Sequence, residues 1–142
     1  MQKVTKVLMF PYRIHGGKRQ FFVLHRHRGD KVVLTGHIGD HVGYENETPK
    51  EAARREIVEE LGVKPLELID ACHSSTVKIP EHDIESTEHA FLVKIPDQNV
   101  KFLEHDEPHQ WHRLEELSKV LTYLHQRQAA TIIKKYLNKS PE

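Results

Sequence analysis

Glu56, Glu59 and Glu60 stand at i, i+3 and i+4 within the stretch Glu47-Thr48-Pro49-Lys50-Glu51-Ala52-Ala53-Arg54-Arg55-Glu56-Ile57-Val58-Glu59-Glu60-Leu61-Gly62-Val63. On a helix, at about 100° per residue, these carboxylates share an arc of about 100°. Exposed like charges at that spacing weaken a helix by about 0.3 kcal/mol per pair. Partly desolvated, at about 4 Å, they repel by about 4 kcal/mol. A cation over the cluster removes that penalty. Carboxylates without neighbouring Cys or paired His suit a hard ion, Mg²⁺ or Mn²⁺. Such ions complete their shells with water and phosphate oxygens, so the cluster points to phosphate chemistry. The ordinary alternative is a solvated acidic face interleaved with Lys50, Arg54 and Arg55.

The elements that hold these carboxylates are legible around them. Thr48 can cap the helix, Pro49 suits its first position, and Glu51 completes a Thr-x-x-Glu capping box. Gly62 can end it in a left-handed conformation. Ala53, Ile57 and Leu61 form an apolar stripe suited to packing on a sheet. One face is anchored and the adjacent one is offered to a ligand.

From Glu47 to Val63 the stretch resembles the Nudix hydrolase signature at every specified position: Glu, seven residues, Arg-Glu, an aliphatic, any residue, Glu-Glu, any residue, Gly, an aliphatic. The resemblance implies an α/β class fold, an α/β/α sandwich with a mixed sheet, and hydrolysis of a phosphoanhydride bond. It implies Glu56, Glu59 and Glu60 as metal ligands, Glu47 assisting, and Arg55 orienting the glutamates. The motif glycine should precede Glu47 by six positions, where His41 stands. Thr35-Gly36-His37-Ile38 resembles the family's usual Gly-x-Val/Ile segment, with five extra residues before Glu47. We read this as a longer loop containing Gly39 and Gly43.

A second resemblance covers most of the chain. Thr87-Glu88-His89-Ala90-Phe91-Leu92-Val93, then Ile95-Pro96, Phe102-Leu103-Glu104-His105 and Trp111, are similar in order to the dihydroneopterin triphosphate and dATP pyrophosphohydrolase branch. An acidic loop before Trp also occurs in dinucleoside tetraphosphate hydrolases. On this match Glu104 is a candidate further metal ligand or general base, against membership of a solvated acidic loop with Asp106 and Glu107. Glu88 is a lesser candidate for that role. The catalytic set is therefore Glu59, Glu104 and Arg55. Arg26, His37 and Trp111 are candidate substrate contacts, Trp111 by base stacking or else as core. Arg28 and Lys6 could also clamp phosphates.

The 142 residues predict one domain, 1–142, with enough chain for a core. Twenty-one basic and 21 acidic side chains cancel, so no global field favours a nucleic-acid polymer or an anionic membrane. No stretch approaches the about 18 apolar residues of a membrane span, and Met1 to Lys6 lacks a signal-peptide core. The lone cysteine, Cys72, excludes an internal disulfide and suits a reducing compartment. Its apolar surroundings predict a buried, inert thiol. A cytoplasmic enzyme is expected, with a small nucleotide or related diphosphate as partner and the oligomeric state, homodimer included, left open. The 12 histidines are dispersed and predict a net charge turning positive near about pH 6.5.

Along the chain, strands are predicted at 4–12, 20–27 and 31–38, with Gly16-Gly17 as a turn. Extended segments follow at 66–79, with His73-Ser74-Ser75 as an interruption and Pro80 as the end, and at 87–95. Short extended pieces are expected at 102–103 and 110–112. Helices are predicted at 114–121 and 123–137, the latter with Leu124, Ile132, Ile133 and Leu137 in the core. A nucleoside or pterin triphosphate is the expected substrate, and a dinucleoside polyphosphate or nucleotide sugar the alternative. A non-catalytic nucleotide sensor of the same fold is the rival class, motivated by the altered loop.

Overall fold

The computed structural model describes residues 1–39 and 45–139; His41 lies outside them. Seven strands form one sheet: β1 (Gln2–His15), β2 (Lys18–His25), β3 (Lys31–Val32), β4 (Leu34–His37), β5 (Glu67–Ile79), β6 (Ile84–Lys94) and β7 (His109–His112). Helix α1 (Pro49–Leu61) follows β4, and α2 (Leu114–Val120) and α3 (Leu124–Lys139) close the described chain. Among the described residues no helix is long and apolar enough to cross a membrane.

β1 organises the sheet. Along one edge it pairs with β6 in parallel, from Gln2↔Ile84 to Tyr12↔Lys94. Along the other it meets β4 through Lys6 to Met9 and β2 through Tyr12 to His15, both antiparallel. Its run Val7 to Tyr12 is apolar without alternation because both faces are covered. Val7 and Met9 pack with Ala52, Ala53, Ile57 and Leu61 of α1. Leu8, Phe10 and Tyr12 pack on the opposite face with Leu117, Ala129, Ala130, Ile133 and Leu137 of α2 and α3. The layers are α1, mixed sheet, then α2 and α3.

Several sequence expectations change here. The strand expected over 31–38 is two, because Val33 leaves the ladder and its N–H donates to Gln126 Oε1 at 3.1 Å. β3 then stays with β2 while β4 crosses to β1. Residues 102–103 are loop. The interruption in β5 is a register shift between Asp70 and Ser74, with Cys72 at φ 53° and its N–H bonded to Asp70 Oδ1. That turn faces Cys72 to solvent, so the thiol is exposed rather than buried. Leu124, expected in the core, is 61% exposed because α3 begins there, before its buried face has turned onto the sheet.

Candidate metal centre

Helix α1 starts and stops where its capping residues demand. The Glu51 N–H donates to Thr48 Oγ1 and the Thr48 N–H to Glu51 Oε1, a reciprocal capping box. Gly62 ends the helix at φ 71°. With Ala53, Ile57 and Leu61 fixed in the core, Glu56 and Glu60 are carried inward beside them, 6% and 3% exposed. Glu104 arrives from the loop after β6, brought to α1 by the Leu103 N–H, which donates to the Glu60 carbonyl at 2.8 Å. One carboxylate oxygen from each of Glu56, Glu60 and Glu104 lies within 4.8 Å of the others.

Protein groups alone do not balance this cluster. Glu60 Oε2 is buried and has no hydrogen-bond partner. Burial raises the Glu60 carboxyl far above its ordinary value, and Glu56 and Glu104 push it further. Burial raises Glu56 as well; Arg55 opposes the rise, while Glu59 and Glu104 add to it. An all-oxygen donor set in which the buried Glu60 Oε2 is orphaned fits a hard divalent cation.

The raised values carry a pH signature. At pH above the unfolded value of 4.5 the unfolded carboxyls have lost protons that folded Glu56 and Glu60 retain. The metal-free protein therefore loses stability as pH climbs from there through the raised folded values. A bound divalent ion cancels that loss. Saturating Mg²⁺ is expected to raise the melting temperature more at about pH 8 than at about pH 5.5. An equal rise at both, by calorimetry, would contradict the assignment.

Gly36, at the end of β4, makes room for the cluster. A Cβ there would lie 2.4 Å from both Cγ and Cδ of Glu56. Gly36 stands in the segment 35–38, five positions before His41.

Arg55 ties the surroundings together. Its Nε and Nη2 grip both oxygens of Glu47 at 2.8 and 2.9 Å. Nη1 donates to Glu56 Oε1 at 2.8 Å and Glu59 Oε2 at 3.2 Å, and Nη2 also to the His37 carbonyl at 3.0 Å. Glu47 further accepts from the Gly39 N–H at 3.1 Å. Only a planar fork serves so many acceptors at once. Arg55→Lys is expected to weaken Mn²⁺ binding about tenfold, read by calorimetric titration.

The other sequence candidates divide. Glu59 is on the exposed side of α1, beside the cluster but outside the group of three, and Glu47 sits on Arg55. His37 contributes its carbonyl to Arg55 while its side chain is exposed. Arg26 lines a cavity of about 200 Å³ with Glu60, Glu104, Thr35, Phe102 and His105, and its Nε–Nη2 edge holds the buried Asp30. Trp111 is half-buried: Arg13 covers its ring at 4.0 Å, Phe22 and His109 meet its edges, and its N–H donates to Asn99. It does not line the cavity beside the carboxylates. Glu88 lies on the α3 side of the sheet, bonded to His125 and Ser86, so the alternation of β6 separates it from Glu56 and Glu60. Of the cavity walls, Leu24 and Val32 were not singled out in the sequence; Gly36 was noted within the segment 35–38, but without its contact to Glu56.

The model of the NUDIX domain matches residues 6–136. The chain belongs to the NUDIX family. As a NUDIX hydrolase it acts on phosphoanhydride bonds. A comparison with curated protein sequences gave no match. Among solved structures, a C. elegans Ap4A hydrolase binary complex superposes with a TM-score of 0.76 at 19% identity, over 96% of this chain and 98% of that one. The NUDIX domain of Shewanella oneidensis NrtR, complexed with ADP ribose, gives 0.74 at 13%, over 96% and 90%. The E. coli dihydroneopterin triphosphate pyrophosphohydrolase gives 0.73 at 20%, over 94% and 99%. At these identities the likeness speaks for the fold, and the site must supply the chemistry.

Proposed function

We propose that this NUDIX protein is a Mg²⁺-dependent pyrophosphohydrolase that cleaves a nucleoside or pterin triphosphate to a monophosphate-bearing product and pyrophosphate. The observation that carries the reading is the buried Glu56–Glu60–Glu104 group with its orphaned Glu60 oxygen. The small cavity next to Glu60 and Glu104 suits one compact phosphate-bearing end of a substrate.

Glu56, Glu60 and Glu104 would hold the cation, Mg²⁺ or Mn²⁺. When bound, the ion supplies positive charge to the phosphate oxygens and acidity to a water. Glu59, exposed and held by Arg55, accepts the proton of the attacking water; Glu104 is the second candidate for that role. Arg55 and Glu47 keep the glutamates from drifting, so the carboxylates that would hold the cation are pre-organised. Arg26, beside the cavity, adds positive potential for the polyphosphate. His37 and Trp111 stand at the margins of this scheme.

A dinucleoside polyphosphate is the second reading; the C. elegans Ap4A hydrolase shares the fold along nearly the whole of both chains. The purified protein with Mg²⁺ would be offered nucleoside and pterin triphosphates, dinucleoside polyphosphates and sugar nucleotides. Release of pyrophosphate from a triphosphate is the expected result. Preferential cleavage of a dinucleoside polyphosphate would move the assignment to the second reading. Tight binding without turnover of any compound would make the protein a sensor.

A further inference from the structure

Glu104 has a difficult position to hold. It is exposed, it comes from irregular chain between β6 and β7, and no side chain among the described residues hydrogen-bonds its carboxylate. Yet its oxygen meets those of Glu56 and Glu60, which a helix fixes. The backbone on either side of Glu104 must therefore be clamped. On the N-terminal side the clamp is the Leu103 N–H bonded to the Glu60 carbonyl at 2.8 Å.

On the C-terminal side the partner is the turn between β2 and β3. The His27 N–H donates to Glu107 Oε2 at 2.9 Å, and the His27 ring Nε2 bonds the Asp106 carbonyl at 2.8 Å. Next to them the His25 N–H donates to the Pro108 carbonyl at 2.8 Å. The turn is itself rigidly built. The Arg26 N–H donates to the Asp30 carbonyl, and the Gly29 N–H to the Arg26 carbonyl, each at 2.9 Å. The buried Asp30 carboxylate gathers Arg26, Arg28 and the Tyr123 hydroxyl. Asp30 fixes the turn, the turn presents His27, and His27 grips the two residues that follow His105.

We propose that His27 and Glu107 are positioning residues that hold Glu104 at the metal site. The inference rests on the reading of Glu104 as a metal ligand. It assigns a purpose to the Asp30 network and to a histidine and an acid that touch neither Glu56 nor Glu60. The Glu107 carboxylate acts through its bond to the His27 N–H, so an uncharged acceptor of the same shape should serve as well as a charge.

The test is Mn²⁺ binding to the full chain, followed by electron paramagnetic resonance, for the parent, Glu107→Ala, Glu107→Gln, Glu104→Gln and the double variant Glu104→Gln/Glu107→Ala. Glu107→Ala is expected to weaken binding about tenfold. Glu107→Gln should stay near the parent, and Glu107→Ala should add nothing once Glu104 is Gln. Far-ultraviolet circular dichroism establishes that each variant is folded. Parent-like binding by Glu107→Ala beside a weakened Glu104→Gln overturns the positioning role alone. An equal loss in Glu107→Gln and Glu107→Ala also overturns it, since charge and not the bond would then be at work. Unchanged binding by Glu104→Gln overturns both this inference and the ligand assignment beneath it.

Discussion

Glu60→Gln is expected to melt higher than the parent without metal and to turn over substrate about a hundredfold more slowly with it. The two effects share one cause. Glu60 is 3% exposed, its Oε2 has no partner, and burial with Glu56 and Glu104 disfavours its charged form. The neutral amide removes the repulsion at nearly constant volume, worth about 1 kcal/mol or more, or about 4 °C for a chain of this size. The same change takes away a charged ligand. Losing about 3 kcal/mol of charge stabilisation in the transition state corresponds to about a hundredfold in rate. Calorimetry without metal and pyrophosphate release with Mg²⁺ would check the pair. A variant less stable than the parent without metal would mean that Glu60 is balanced by protein groups, contrary to the site described above.

Gly36→Ala is expected to cost as much activity without altering any functional side chain. The added Cβ would come within 2.4 Å of Glu56 Cγ and Cδ and 2.8 Å of its Oε2. β4 cannot retreat easily, since Gly36 pairs with Val7 in the sheet centre. Glu56 must swing instead, against its 2.8 Å bond to Arg55. Overpacking of this kind costs about 1–3 kcal/mol of stability. A displaced ligand should also lower Mn²⁺ affinity and turnover about a hundredfold. Wild-type Mn²⁺ affinity in a folded Gly36→Ala protein would show that Glu56 is free to relax without leaving the site.

These two positions differ in how openly the sequence announced them. Glu60 belongs to a local pattern: the Thr48 cap, the Ala53–Ile57–Leu61 stripe and Gly62 fix the helix, and its 3.6-residue period then dictates which carboxylates face inward. That period put Glu56, Glu59 and Glu60 on one arc, but the depth of each depends on what lies opposite. Glu56 and Glu60 are buried while Glu59 stays exposed beside Arg55. Gly36 depends on contact between β4 and α1, and a count of positions along the motif pointed to His41 instead. In space it is Gly36 that stands against Glu56.

Long-range geometry accounts for most of the remainder. Glu104 reaches the cluster because β1 and β6 run parallel and deliver the next loop to the α1 side. Glu88, only 16 residues earlier, lies across the sheet by the alternation of β6. Cys72 sat in an apolar-looking run, but it falls on the exposed side of β5 together with Asp70 and Ser74. The two-faced β1 was legible as an unbroken apolar run. Its exchange of partners from β4 to β2 was not, because the break at Val33 is set by Gln126, which lies in α3.

The most direct test of the metal assignment is anomalous diffraction from crystals grown with Mn²⁺. The arrangement of carboxylates predicts a peak in contact with Glu56, Glu60 and Glu104 together. A well-ordered Mn²⁺ bound elsewhere, with those three side chains left without it, would contradict the account.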